Sequence, residues 1–144
     1  MEKLLIKELE LNKRIEIGAV TLSEQEIIDY AKANDPLDFH TDKKAAEKSM
    51  FKGLVASGSQ LFNILHKTEW IPRFGHSVLC GMEVNHWKFL KPVYANQTIK
   101  GSVTPIYIKE NTENHHVVIV WKYEFTDMQN QPVQTMEVTV LHKL

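Results

Sequence analysis

An aspartate and a histidine five residues apart, Asp35 and His40, lie in a segment broken by Pro36, and eighteen residues past His40 comes Gly58 in the run Ser57-Gly58-Ser59. A carboxylate can orient or deprotonate, and an imidazole with a reference pKa of about 6.5 exchanges a proton near neutrality. A glycine opening a helix presents backbone N–H groups without intrahelical partners at the positive end of the helix dipole, and it lets a ligand come close. Such an N–H binds a carbonyl oxygen and holds it harder as negative charge develops, a gain of roughly 2.7–4 kcal/mol per donor in oxyanion holes. A base, a proton carrier and an oxyanion donor are the parts needed to handle a carbonyl compound. Each residue also has a purely structural reading. Asp-Pro is common in turns, His40 can pack, and Ser-Gly-Ser can begin a helix for capping alone. Asp38 is a rival carboxylate, expected in solvent.

Other chemistries fit less well. His115 and His116 are adjacent and point to opposite faces of a strand, and His66, His76, His86 and His142 show no ligand spacing, so no metal site is expected. The run Ala56-Ser57-Gly58-Ser59 lacks the GxSxG elbow of a serine nucleophile. The only cysteine, Cys80, rules out an internal disulfide and lies in an apolar run where a small buried core residue is expected. Trp70, Trp87 and Trp121 read as core or interface residues. A net charge of −1, with lysines and arginines spread along the chain, points to neither nucleic acid nor an anionic membrane. The opening MEKLLIKELELNKR lacks the apolar core and cleavage site of a signal peptide, and no apolar run reaches the roughly 20 residues of a membrane span. The expectation is a cytoplasmic protein.

The elements that must position Asp35, His40 and Gly58 are legible in part. A short lead precedes a strand over Ile15–Val20. Thr21 and Ser23 are both candidate N-caps, each with a glutamate three residues on, and Ile27, Tyr30 and Ala31 share a face, which predicts a helix over 23–33. Asn34 and Pro36 end it, leaving Asp35–Thr41 as a loop. Asp42 caps a second short helix through KKAAEKS, Phe51-Lys52-Gly53 turns, and Gly58–Lys67 is an apolar, buried helix. Everything after Pro72 reads as strand: Val78–Val93, Thr98–Lys109 with a bulge or edge at Pro105, His115–Thr126 and Val133–Leu141, the last two joined by a turn over Asp127–Pro132. In His115–Thr126 the residues Val117, Ile119, Trp121, Tyr123 and Phe125 fall on one face. At 144 residues, with 43% hydrophobic and 24% charged side chains, the chain is expected to form one domain over 1–144. Helices first and antiparallel strands afterwards is an α+β order, best met by a curved antiparallel sheet wrapped around the apolar helix. Such a sheet leaves edges suited to pairing in a homodimer or larger homo-oligomer.

The combined pattern resembles a known family. Tyr30-Ala31, Asp35-Pro36-Leu37-Asp38-Phe39-His40-Thr41-Asp42, Ala45-Ala46 and Phe51-Lys52-Gly53-Leu54-Val55-Ala56-Ser57-Gly58 are similar to the MaoC-like branch of the hot dog fold. That branch includes (R)-specific enoyl-CoA hydratases and related acyl-CoA dehydratases. Trp87-Lys88-Phe89-Leu90-Lys91-Pro92-Val93 resembles its Trp-x-x-Pro-Val strand with a longer insert. The resemblance covers about residues 15–143 and implies a hot dog fold, an overhanging segment that carries the acid–His pair, and a central helix opened by Gly58. It implies that Asp35 and His40 hold and activate the water that adds to a 2-enoyl thioester, while the Gly58 amide polarises the thioester carbonyl. Ser57, Ser59 and His66 are further expected substrate contacts. The implied partner is an acyl-CoA or acyl-carrier-protein thioester, with no cofactor beyond that carrier and a place in fatty acid metabolism. The chain departs from the family pattern in having Pro36 directly after Asp35, Asn96-Gln97 in place of Gly-Asp, and His66 where a small hydroxyl residue is expected. An acyl-CoA thioesterase and a non-catalytic acyl-CoA or acyl-carrier binding module are the alternatives on the same fold.

Overall fold

The computed structural model describes residues 4–144; the first three residues of the expected lead lie outside the described residues. Five antiparallel strands form one sheet in the order β1-β3-β4-β5-β2, with β1 at Ile15–Thr21, β2 at Val78–Phe89, β3 at Thr98–Asn111, β4 at His116–Thr126 and β5 at Pro132–Lys143. The period-two face of β4 is the floor of the core: Val117, Ile119, Trp121, Tyr123 and Phe125 are all buried. Helix α4, Gly58–Leu65, lies against that face with Leu61 and Leu65 buried in the same cluster. The sheet curves around α4, as the α+β, hot dog reading requires.

Before α4 come α1 (Glu24–Asn34), α2 (Asp38–Thr41) and α3 (Lys43–Lys48). Ser23 caps α1, its hydroxyl accepting from the Glu26 N–H at 3.1 Å. Thr21 is instead the last residue of β1, where its hydroxyl meets that of Thr98 at 2.7 Å. Asp42 caps α3 by accepting from the N–H groups of Lys44 and Ala45.

Several expectations are corrected. The loop expected over Asp35–Thr41 contains the single turn α2, because Pro36 blocks helix only at its own neighbours and leaves the chain free to turn again from Asp38. The helical run does not end at Lys67. A widened π-type turn over His66–Trp70 carries it on, with the Ile71 N–H bonding the His66 carbonyl, into α5 at Ile71–Phe74 and a 3-10 turn at Gly75–Ser77. Pro72 is accommodated in the first turn of α5, where a missing N–H costs nothing. Strand β2 stops at Phe89 rather than Val93. Cys80 is exposed, not core, because β2 is an edge strand whose side chains near its start face outward. Pro105 does sit at an irregularity, where β3 slips its register against β4.

At the far end of the core, His142 is fully buried with both ring nitrogens occupied. The Ser77 hydroxyl donates to the Phe74 carbonyl at 3.0 Å, so it accepts the His142 Nδ1–H at 2.8 Å, and Trp121 Nε1–H donates to His142 Nε2 at 3.1 Å. Only the neutral ring satisfies this set. Burial, with a smaller push from the charge of His76, lowers the His142 pKa to about 4. The unfolded chain takes up this proton near pH 6.5 and the folded one only near pH 4, so stability falls as pH drops between the two. The loss approaches about 3 kcal/mol once pH is below both values. Urea unfolding at pH 7 and pH 4.5 checks it: His142→Gln should show a smaller drop in midpoint than the parent chain.

Candidate active site

Asp35 is the residue after α1, and its N–H bonds back to the Ala31 carbonyl at 2.8 Å. Pro36 breaks the helix there and throws the chain over to α2, whose third residue is His40. His40 is 6% exposed and its ring packs edge-on to Phe39. His40 Nδ1 lies 2.6 Å from the Val55 carbonyl oxygen. A carbonyl only accepts, so Nδ1 carries the hydrogen and Nε2 is the basic nitrogen of the neutral ring. Nε2 faces Asp35 Oδ2 at 3.4 Å. That separation exceeds the roughly 2.7–2.9 Å of a direct charge-assisted hydrogen bond, so both groups keep capacity for a third partner between them.

Ser57 precedes α4 and is buried. Its hydroxyl does not cap the helix; it donates to Asp35 Oδ2 at 2.7 Å. The capping reading of Ser-Gly-Ser therefore fails at Ser57, and among the described residues no acceptor takes the Gly58 N–H. The first turn of α4 keeps an open donor at the positive end of the helix. The Phe89 ring stands directly over Gly58, and a Cβ built there would collide with it.

These residues meet in a cavity of about 530 Å³ lined by Asp35, His40, Ser57, Gly58 and Ser59 on one side and by Trp87, Phe89 and Gln134 on the other. Ser59 lines it while its hydroxyl is engaged with that of Tyr30 at 2.8 Å. His66 is not among the lining residues. Its ring is stacked between Phe62 and Trp70, and its Nδ1 lies 2.8 Å from the Tyr123 hydroxyl. Burial lowers the His66 pKa and raises that of Tyr123 well above its usual value, so both are neutral at pH 7. Asp38, the rival carboxylate, is exposed and outside the cavity. Among the described residues no group of acidic, His or Cys side chains is placed to hold a metal ion.

One site residue escapes a reading of the local sequence. Gln134, 3% exposed, accepts from Trp87 Nε1 at 3.2 Å and donates from Nε2 to the Gly58 carbonyl at 2.9 Å. Each end of its amide has a complementary partner, which fixes its orientation and clamps the first turn of α4 to β5. The trace of it in the sequence is a polar residue at an inward position of an otherwise apolar alternation, Met136, Val138 and Val140. His142, at the other end of the same face, stands out for the same reason.

Comparisons with known proteins place the chain in a family and a fold. Residues 9–138 match the family model of the MaoC like domain. The uncharacterized protein YdeM of Bacillus subtilis (strain 168) is 31% identical over 96 residues, spanning 65% of this chain and 67% of the relative. Among solved structures, a MaoC-like dehydratase from Rhodospirillum rubrum has a TM-score of 0.84 at 21% identity, covering 97% of each chain. The (R)-hydratase from A. caviae involved in PHA biosynthesis has a TM-score of 0.75 at 16% identity, covering 93% of this chain and 97% of its own. At such identities these structures establish the shared hot dog fold, while the family model spans most of the chain. With that model matching residues 9–138, the chain belongs to the MaoC-like dehydratase family.

Proposed function

We propose that the protein reversibly hydrates a 2-enoyl thioester to the 3-hydroxyacyl thioester, with coenzyme A or an acyl-carrier protein as the carrier. The observation that supports this reading best is the convergence of Asp35, His40 and the Gly58 N–H on one cavity. The thioester carbonyl accepts from Gly58 N–H, drawing electron density from C3. A water bound between Asp35 and His40 Nε2 gives its proton to Nε2 as its oxygen bonds to C3, and the displaced electron pair becomes the enolate at the carbonyl. The imidazolium then returns the proton to C2. In reverse, Nε2 takes the C2 proton, whose weak acidity makes the oxyanion donor necessary, and the imidazolium gives that proton to the 3-hydroxyl, which leaves as water as the enolate electrons form the C2–C3 double bond. Ser57 holds Asp35 in place throughout.

The assay is incubation with crotonyl-CoA and longer enoyl-CoAs, following enoyl absorbance and free thiol together. The expected result is loss of absorbance without thiol. Thiol release with the enoyl group intact would replace this reading with hydrolysis, and tight binding without turnover would leave a carrier-binding module.

The active form is a homodimer. Strand β2 has a free edge and exposes Leu79, Met82 and Val84, and pairing with the β2 of a second copy covers that apolar edge. No helix among the described residues is long and apolar enough to cross a membrane.

A further inference from the structure

The cavity ends abruptly along α4. Only Gly58 and Ser59 of that helix line it. One turn further on stands Phe62, whose ring meets Trp87 edge-on at 5.6 Å and Tyr123 edge-on at 5.1 Å. Behind it His66 stacks at 5.0 Å, itself stacked on Trp70 at 4.8 Å and bonded to the Tyr123 hydroxyl. On the cavity side Trp87 is held by its hydrogen bond to Gln134. Phe62, partly buried, is thus packed against two aromatic side chains, Trp87 and Tyr123, and the His66 imidazole, each of them held by a hydrogen bond. Swinging its ring aside breaks all three contacts.

We infer that this aromatic stack is a floor that restricts the acyl group to short, crotonyl-sized chains. The inference rests on the acyl-thioester reading of the site and narrows its substrate class. With the thioester carbonyl at Gly58 N–H and C3 between Asp35 and His40, the rest of the acyl chain meets Trp87 as a cavity wall, with Phe62 packed behind it. A longer chain must either displace this stack or turn back towards the open side of the cavity, where Leu90 and Lys91 are exposed. Short chains meet neither obstacle. His66 matters here as the backing of Phe62, not as a substrate contact.

Two measurements on the full chain test it. Calorimetry with butyryl-, octanoyl- and dodecanoyl-CoA reads acyl fit without chemistry, and turnover is read with crotonyl-, octenoyl- and dodecenoyl-CoA. The expected result is that octanoyl-CoA binds no tighter than butyryl-CoA, and that kcat/KM falls at least about tenfold from crotonyl to octenoyl, about 1.4 kcal/mol. Phe62→Ala should raise the octenoyl-to-crotonyl ratio, and Phe62→Leu should raise it less; thermal melts establish that each variant is folded. Octanoyl-CoA binding tenfold tighter than butyryl-CoA, or an unchanged ratio in a folded Phe62→Leu or Phe62→Ala protein, would overturn the floor while leaving hydration intact. Binding graded by chain length without any turnover would remove the hydratase reading and keep the floor. No binding of any acyl-CoA would remove both.

Discussion

Under the proposed hydration, Asp35→Asn and His40→Ala are each expected to abolish enoyl thioester turnover while the protein stays folded. His40 Nε2 is the ring nitrogen left free to take a proton, because Nδ1–H is committed to the Val55 carbonyl. Its removal takes away proton transfer, which contributes roughly 10²–10⁴-fold in general acid–base catalysis. Asp35→Asn is the cleaner test. The amide is isosteric and its oxygen can still accept from the Ser57 hydroxyl, so the local structure survives, but the negative charge beside Nε2 is gone. His40→Ala also vacates a buried site packed on Phe39 and leaves the Val55 carbonyl without its partner, a stability cost of about 1–3 kcal/mol. Steady-state kinetics beside thermal melts separate the two effects. Both variants turning over within tenfold of the parent chain would sink the acid–His mechanism.

Gly58→Ala should separate activity from stability even more sharply. Gly58 is not in the left-handed region, so alanine meets no backbone strain there, and in a helix alanine is favoured over glycine by about 0.5–1 kcal/mol. The added methyl collides with the Phe89 ring, which would lie 2.4 Å from it. Phe89 is 59% exposed, so it moves rather than the helix, and it is pushed across the cavity it lines just beside the Gly58 N–H. The expected outcome is a melting temperature within a few degrees of the parent and a fall of roughly 10²–10³ in kcat/KM, the size of a lost oxyanion donor. Adding Phe89→Ala gives the methyl room and should recover about tenfold or more of that loss. Undiminished turnover in the single variant would mean that Phe89 does not close over the amide, which alanine keeps, or that this amide does not bind the thioester oxygen.

Both experiments turn on contacts that differ in how visible they are in the chain. Ser23 with Glu26 fixes the start of α1, and the five-residue apolar alternation of β4 fixes its buried face, since both depend on neighbours within a few residues. The spacing Asp35–His40 and the position of Gly58 are equally local, and the helix-before-strand order already implies a sheet closed over α4. Pro72 was the misleading local cue. A proline reads as a stop, yet the widened turn His66–Trp70 delivers it to a position where its missing N–H is not needed.

The sequence by itself therefore determined the α+β class and the curved antiparallel sheet, and it singled out three residues that the fold brings to one cavity. Only the tertiary structure decided how those residues are used. The Ser57 hydroxyl has two alternatives, capping α4 or bonding Asp35, and both are locally reasonable; the approach of α1 to the start of α4 selects the second and leaves the helix donor open. The tautomer of His40 depends on the Val55 carbonyl, and the seating of α4 depends on Gln134, 76 residues from Gly58. His66 backs an aromatic stack because Phe62 and Trp70, four residues before and after it in the same helical run, stack on its ring while Tyr123 reaches it from β4. Capping and periodicity act over one or two turns of chain, and so can be read along it. The choice among hydrogen-bond partners and aromatic neighbours is made by packing across the sheet, where residues far apart in sequence compete for the same space.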